Sequence, residues 1–122
     1  MARILVVDDA SFMRQMIREI VESEGHEVVG EASDGDEAIA EFRSLQPDIV
    51  TMDIVRPRLS GIDSVAQIRE LDAGALVVMC RALGQERLVE DALNAGARGF
   101  IVKPFKPEAV LETIASVLEK RE

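Results

Sequence analysis

Four places in this 122-residue chain put a charge directly after a short apolar run. Asp8 and Asp9 follow "RILVV", Asp53 follows "IVTM", Arg81 follows "LVVMC", and Lys103 with Pro104 follows "GFIV". Carboxylates gathered without a counter-charge repel, and one of them is driven to take up a proton. A divalent cation removes that conflict, and hard oxygen ligands with positions left for water suit Mg2+ best. Carboxylates, Mg2+ and a lysine ammonium held together form a receptacle for a phosphoryl group, because the cations balance charge on the transferring oxygens. Singly, each residue has a plainer use. Asp8 or Asp9 would cap a helix starting near Ser11, and Lys-Pro would make an exposed turn. What favours chemistry is that all of them sit at the same kind of boundary.

The elements that must position them follow from periodicity. "RILVVD" (3–8) is short, apolar and β-branched, as a strand buried on both faces would be. "SFMRQMIREIVESEG" then places Phe12, Met13, Met16, Ile17, Ile20 and Val21 on one helical face closed by Gly25. "HEVVGEAS" (26–33) predicts a second strand, and "DG" at 34–35 a turn. A helix carrying Ala38, Ile39, Phe42 and Leu45 ends at Pro47, and "DIVTMDI" (48–54) predicts the third strand. Pro57 and Gly61 mark a loop before a helix from Ile62 to Leu71 that buries Ile62, Val65, Ile68 and Leu71. "ALVVMC" (75–80) predicts the fourth strand, Gln85 to Ala95 a fourth helix, and "GFIVKP" (99–104) the fifth strand. The last helix carries Val110, Leu111, Ile114, Val117 and Leu118.

Strands alternating with helices imply a parallel sheet with right-handed crossovers. Five such units are too few to close an eight-stranded barrel. The expected fold is therefore α/β, an open doubly wound five-stranded parallel sheet with helices on both faces. In such sheets ligands bind beyond the carboxyl ends of the strands, which is where the charged residues fall.

Bulk composition narrows the rest. The length predicts one domain over 1–122, with no linker or low-complexity tract. Aromatic residues are only 3%, so aliphatic side chains and Met must fill the core. The 23 acidic residues outnumber the 14 basic ones, and a net charge of −9 argues against nucleic-acid or anionic-membrane partners. A lone cysteine, Cys80, inside an apolar run reads as a small core residue in a reducing compartment. No apolar stretch reaches the ~18 residues of a membrane span and no signal peptide is evident, so a cytoplasmic location is expected. His26, the only histidine, reads as an exposed connector, and Met13, Met16, Met52 and Met79 as packing.

Over nearly its whole length the chain resembles the receiver domains of two-component response regulators, above all the single-domain chemotaxis members. The resemblance rests on "LVVDDASFMR" (5–14), "PDIVTMDI" (47–54), Pro57 and Gly61, "ALGQ" (82–85) and "AGARGFIVKPF" (95–105). It implies a flavodoxin-like strand order 2-1-3-4-5. It also implies that Asp53 accepts a phosphoryl group from a phosphohistidine on a histidine kinase. Asp8, Asp9, Asp53 and the backbone carbonyl of Val55 would bind Mg2+, Lys103 would bind the phosphoryl oxygen, and Phe100 would be the aromatic switch. Output would be contact with a downstream motor or signalling protein through the fourth helix, fifth strand and fifth helix, where Phe100 and Arg98 lie. Such a protein is no enzyme beyond catalysing its own phosphorylation and dephosphorylation.

The chain departs from the family pattern at Arg81, where the family carries Ser or Thr. Two orientations stay open: inward, toward Asp53 or its phosphate, or outward over the surface. An inward arginine would also permit an atypical receiver that signals without phosphorylation. Val55, Arg56 and Arg58 are smaller departures, with the arginines readable as simple charge balance. A phosphatase using Asp53 as nucleophile would need a second acid two residues on, and position 55 is Val.

Overall fold

A computed structural model of the chain describes residues 1–54, 61–82, 84 and 86–120. Five strands, β1 (Arg3–Val7), β2 (Glu27–Ala32), β3 (Ile49–Asp53), β4 (Val77–Arg81) and β5 (Gly99–Val102), pair in parallel in the order β2-β1-β3-β4-β5. The helices are α1 (Ser11–Glu22), α2 (Gly35–Leu45), α3 (Gly61–Leu71), α4 (Val89–Ala95) and α5 (Pro107–Glu119). A short 3-10 turn, Glu86–Leu88, leads into α4. This is the doubly wound sheet the alternating pattern predicts, in the order the resemblance implies.

Period-2 alternation divides the strand side chains between two core layers. One layer joins Ile4, Val6, Ile49, Val78, Cys80 and Ile101 to Ile17 and Val21 of α1 and to Val110, Ile114 and Val117 of α5. The other joins Leu5, Val7, Val50, Met52, Val77 and Met79 to Phe42 of α2, Val65 and Ile68 of α3, and Ala92 of α4. The β-branched, nearly continuous apolar strands are what burial on both faces requires.

Local signals fix the joints. Asp34 is not a free turn residue but the N-cap of α2: its carboxylate accepts from the Glu37 amide at 2.8 Å, while Glu37 Oε1 accepts from the Ser33 amide at 2.7 Å. Gly61 opens α3 because a Cβ there would lie 2.2 Å from the Asp53 carbonyl oxygen. Only glycine lets the helix start that close to the end of β3. Gly96 ends α4 at φ +118, in the left-handed region that glycine tolerates.

Three stripe residues are exposed. Phe12 is 63% exposed, Met16 37% and Leu71 42%. A helix on a sheet buries a narrow arc; on α1 Ile17 and Val21 fill it, Met13 and Ile20 pack partly against its edge, and Phe12 and Met16 stay in water. The fourth strand begins two residues later than expected and reaches Arg81, while Gln85 lies outside the described residues. His26 is half-buried, not an exposed connector, and its Nδ1 accepts a hydrogen bond from the Ala2 amide at 3.1 Å. No helix among the described residues is long and apolar enough to cross a membrane.

Candidate functional site

The alternation that builds the core also aims the charges. Asp8 continues the side of β1 taken by Ile4 and Val6, Asp53 the side of β3 taken by Ile49, and Lys103 the side taken by Ile101. All three therefore leave the sheet toward α1 and α5. Register completes the match, since Val7 pairs with Met52 and the next residues are Asp8 and Asp53. Lys103 Nζ donates to Asp8 Oδ2 at 3.1 Å and lies 3.5 Å from Asp53 Oδ1. The Lys103–Pro104 peptide bond is cis.

Asp8, Asp9 and Asp53 each offer an oxygen to one point, with those atoms within 4.8 Å of one another. Asp8 and Asp53 are buried and Asp9 is exposed. Neither Asp8 nor Asp9 caps α1. The N-cap is Ala10, which has no side-chain cap, and Asp8 Oδ1 instead accepts from the Ala10 amide at 3.0 Å to turn the loop. That leaves Asp8 Oδ2 for the lysine.

Burial raises the Asp53 carboxyl above the usual range; Lys103 opposes this and Asp8 adds to it. Burial also works against the charged form of Lys103, but Asp53 and Asp8 together hold its ammonium above the ordinary value. Lys103 pairs with Asp8 and Asp53, and Asp9 brings the cluster to three carboxylates against one ammonium, a formal net charge of −2 on an all-oxygen donor set. A hard divalent cation fits both the charge and the donors. The thiol of Cys80, the register partner of Asp53, is pushed up to about 12 by burial and stays protonated as core.

Two groups that the sequence reading passed over support the site. Arg14 Nη1 donates to the Asp8 carbonyl at 2.7 Å while its Nε donates to Glu31 Oε1 at 2.8 Å. Glu31 Oε2 also takes two hydrogen bonds from Arg18. This network ties the Asp8–Asp9 loop to α1 and β2. The available signal was an arginine in the first helical turn after the acidic pair.

Of the two orientations, Arg81 takes the one away from Asp53, but it is largely covered rather than spread over the surface. Alternation puts it on the side of Met79, opposite Asp53. Its side chain is only 17% exposed, and Nη1 pairs with Glu86 Oε2 at 3.2 Å. Phe100 packs against the α2–α3–α4 core layer. It also borders an apolar groove of about 290 Å3 lined by Val102, Lys103, Lys106, Ala109 and Thr113. Arg98 is exposed beside it. Val55, Arg56, Pro57 and Arg58 lie outside the described residues.

Comparison with known proteins agrees with this geometry. The response regulator receiver domain family matches residues 4–115. The chain is 48% identical to the chemotaxis protein CheY of Thermotoga maritima over 115 residues, 94% of this chain and 96% of that protein. It is 49% identical to CheY of Bacillus subtilis over 116 residues, covering 95% and 97% respectively. Among solved structures, the CheX–CheY–BeF3–Mg+2 complex from Borrelia burgdorferi aligns with a TM-score of 0.90 at 41% identity, over 95% of this chain and 88% of that one.

Proposed function

The chain belongs to the response regulator receiver domain family, and from that premise we propose that Asp53 is the phosphoacceptor of a chemotaxis switch fed by a histidine kinase. An Asp53 oxygen attacks the phosphorus of a phosphohistidine. The P–O bond forms as the P–N bond breaks, and the electron pair returns to the imidazole, which takes a proton from water. Burial makes Asp53 more basic than a surface carboxylate and hence a better nucleophile. Lys103, kept protonated by its two carboxylate neighbours, donates to the phosphoryl oxygen and offsets its charge. Asp8, Asp9 and Asp53 would hold Mg2+, with the Val55 carbonyl as the family resemblance implies, and the ion would supply the remaining neutralisation of the phosphoryl charge. The protein turns over no other substrate; it catalyses at most its own phosphorylation and dephosphorylation.

The output surface is the face of α4, β5 and α5, where Phe100 and the groove beside it offer an apolar anchor to a downstream motor or signalling protein. The complex of the Borrelia burgdorferi relative, which contains CheX and Mg+2, supports a protein partner and the cation. A receiver locked by an arginine on Asp53 is disfavoured, because the Arg81 ion pair runs to Glu86.

The observation that carries this reading is Lys103 Nζ lying against both Asp8 and Asp53. Incubation with acetyl phosphate and Mg2+, followed by intact-mass measurement, tests it. One phosphoryl group should add to the parent and none to Asp53→Asn. An unmodified parent, or a variant that still gains the group, would overturn it.

A further inference from the structure

The junction of β4 and α4 holds a guanidinium that neither the core nor the acidic site accounts for. Arg81 Nε is buried and has no hydrogen-bond partner among the described residues. The acceptor its Nη1 does have, Glu86, is mostly in water, with a side chain 60% exposed, and Oε2 is shared with the Gly84 amide at 3.2 Å. So the well-hydrated end of this pair holds the guanidinium loosely, while its innermost N–H goes unmatched among the described residues. A buried donor without an acceptor is costly, and an exposed ion pair is weak compensation.

The backbone of Arg81 already belongs to the rim of the site. Cys80 is the register partner of Asp53, so Arg81 stands one residue beyond Asp53 on the adjacent strand. The Arg81 carbonyl accepts from the Lys103 amide at 2.7 Å. A long side chain that now folds to the α4 side can therefore swing across the end of its own strand.

We propose that Arg81 is a phosphoryl-sensing latch. Once Asp53 carries a phosphoryl group, the guanidinium leaves Glu86 and binds the phosphoryl oxygens, freeing the turn that leads into α4. The inference rests on Asp53 being the phosphoacceptor. A phosphorylated side chain brings close to two negative charges and three acceptor oxygens, and a guanidinium fork can engage two of them through Nε and Nη together. Glu86 offers one charge, in solvent, to one nitrogen. The exchange thus satisfies the orphaned Nε–H and moves the cation toward the greater charge. Glu86 begins the 3-10 turn, and Leu88, two residues on, packs against the same core layer as Phe100. Loss of the ion pair is thereby transmitted to the α4–β5 surface without a hydroxyl at position 81.

Beryllium trifluoride with Mg2+, a phosphoryl mimic, tests the latch on the full chain by NMR. In the parent, the Arg81 Nε–H resonance should move strongly downfield, and the Gly84 and Glu86 amides should shift as Oε2 is released. Affinity for the mimic, read by 19F NMR, should fall about tenfold in Arg81→Ala and less in Arg81→Lys, and rise several-fold in Glu86→Gln, where the competing charge is gone. An Arg81 resonance that stays in place while the parent binds the mimic overturns the latch and leaves Asp53 as acceptor. Unchanged affinity in both Arg81→Ala and Glu86→Gln does the same. A parent that binds no mimic overturns both.

Discussion

The two ends of the sheet treat charge in opposite ways. At the amino end donors from the start of the chain meet neutral or opposite-charge acceptors. The Arg3 amide donates to Asp48 Oδ2 at 2.8 Å, Arg3 Nη1 to the Gln46 carbonyl at 2.9 Å, and the Ala2 amide to His26 Nδ1 at 3.1 Å. At the carboxyl end Asp8 and Asp53 share the Lys103 ammonium, and Asp9 joins their oxygens without a cation of its own in that cluster. The amino end is assembled for stability, and the carboxyl end keeps an unbalanced charge that a cation and a phosphoryl group would use. Departures from local consistency gather where function lies.

The sharpest way to break that contrast is at the lysine. Lys103→Ala leaves Asp8 and Asp53 facing each other unneutralised, and should slow phosphoryl uptake about 100-fold or more, measured by phosphorylation time courses. The same variant should lose about 1–3 kcal/mol in urea unfolding, less than a fully buried pair would lose because the site is open to water. Uptake at the parent rate would mean that the lysine is structural.

Next comes the cation. Mg2+ at 100 times its dissociation constant should stabilise the parent by about 2.7 kcal/mol, seen as a raised Tm that EDTA reverses. Asp9→Asn should lose most of this response. Asp53→Asn, which removes a buried charge, should raise the Tm of the metal-free protein at pH 7. Equal Tm values for parent and Asp53→Asn would show that the carboxyl rim carries no excess repulsion.

At the other end, Asp48→Ala should cost about 1–2 kcal/mol, through the Arg3 amide it leaves unpaired, with phosphoryl uptake unchanged. The smallest effect belongs to His26. Burial and the nearby amino terminus hold its imidazole below the ordinary 6.5. The unfolded chain therefore binds the proton more readily, and stability should fall as pH drops below about 6.5, toward the lower folded-state value. Protonation also removes the Nδ1 acceptor that the Ala2 amide uses. The parent's Tm between pH 7 and 5 should decline more than that of His26→Gln; parallel curves would remove His26 from the account.

Much of this was legible in order of residues. Apolar runs of five or six followed by amphipathic runs predict the sheet, and each acidic or basic strand end could be marked before any coordinate was known. The span of β4 was less legible, because "ALVVMCR" carries no stop signal and only pairing with β3 and β5 sets its ends. The exposure of Phe12 and Met16 could not be read from helical period alone, which gives a face but not its width. His26 looked like a connector because its partner, the Ala2 amide, is remote in sequence.

Residue order alone places Asp8, Asp9, Asp53 and Lys103 at strand ends, because apolar runs stop there; that Asp8, Asp53 and Lys103 share one side of the sheet follows from alternation together with the register between strands. The course of Arg81 comes from folding, which sets Glu86 beside it. Arginine's flexible three-methylene stem leaves its end free over a wide arc, and the acceptor it meets depends on how the turn before α4 presents Glu86. Backbone periodicity fixes the direction in which a side chain departs; the packing of distant segments fixes where a long one ends.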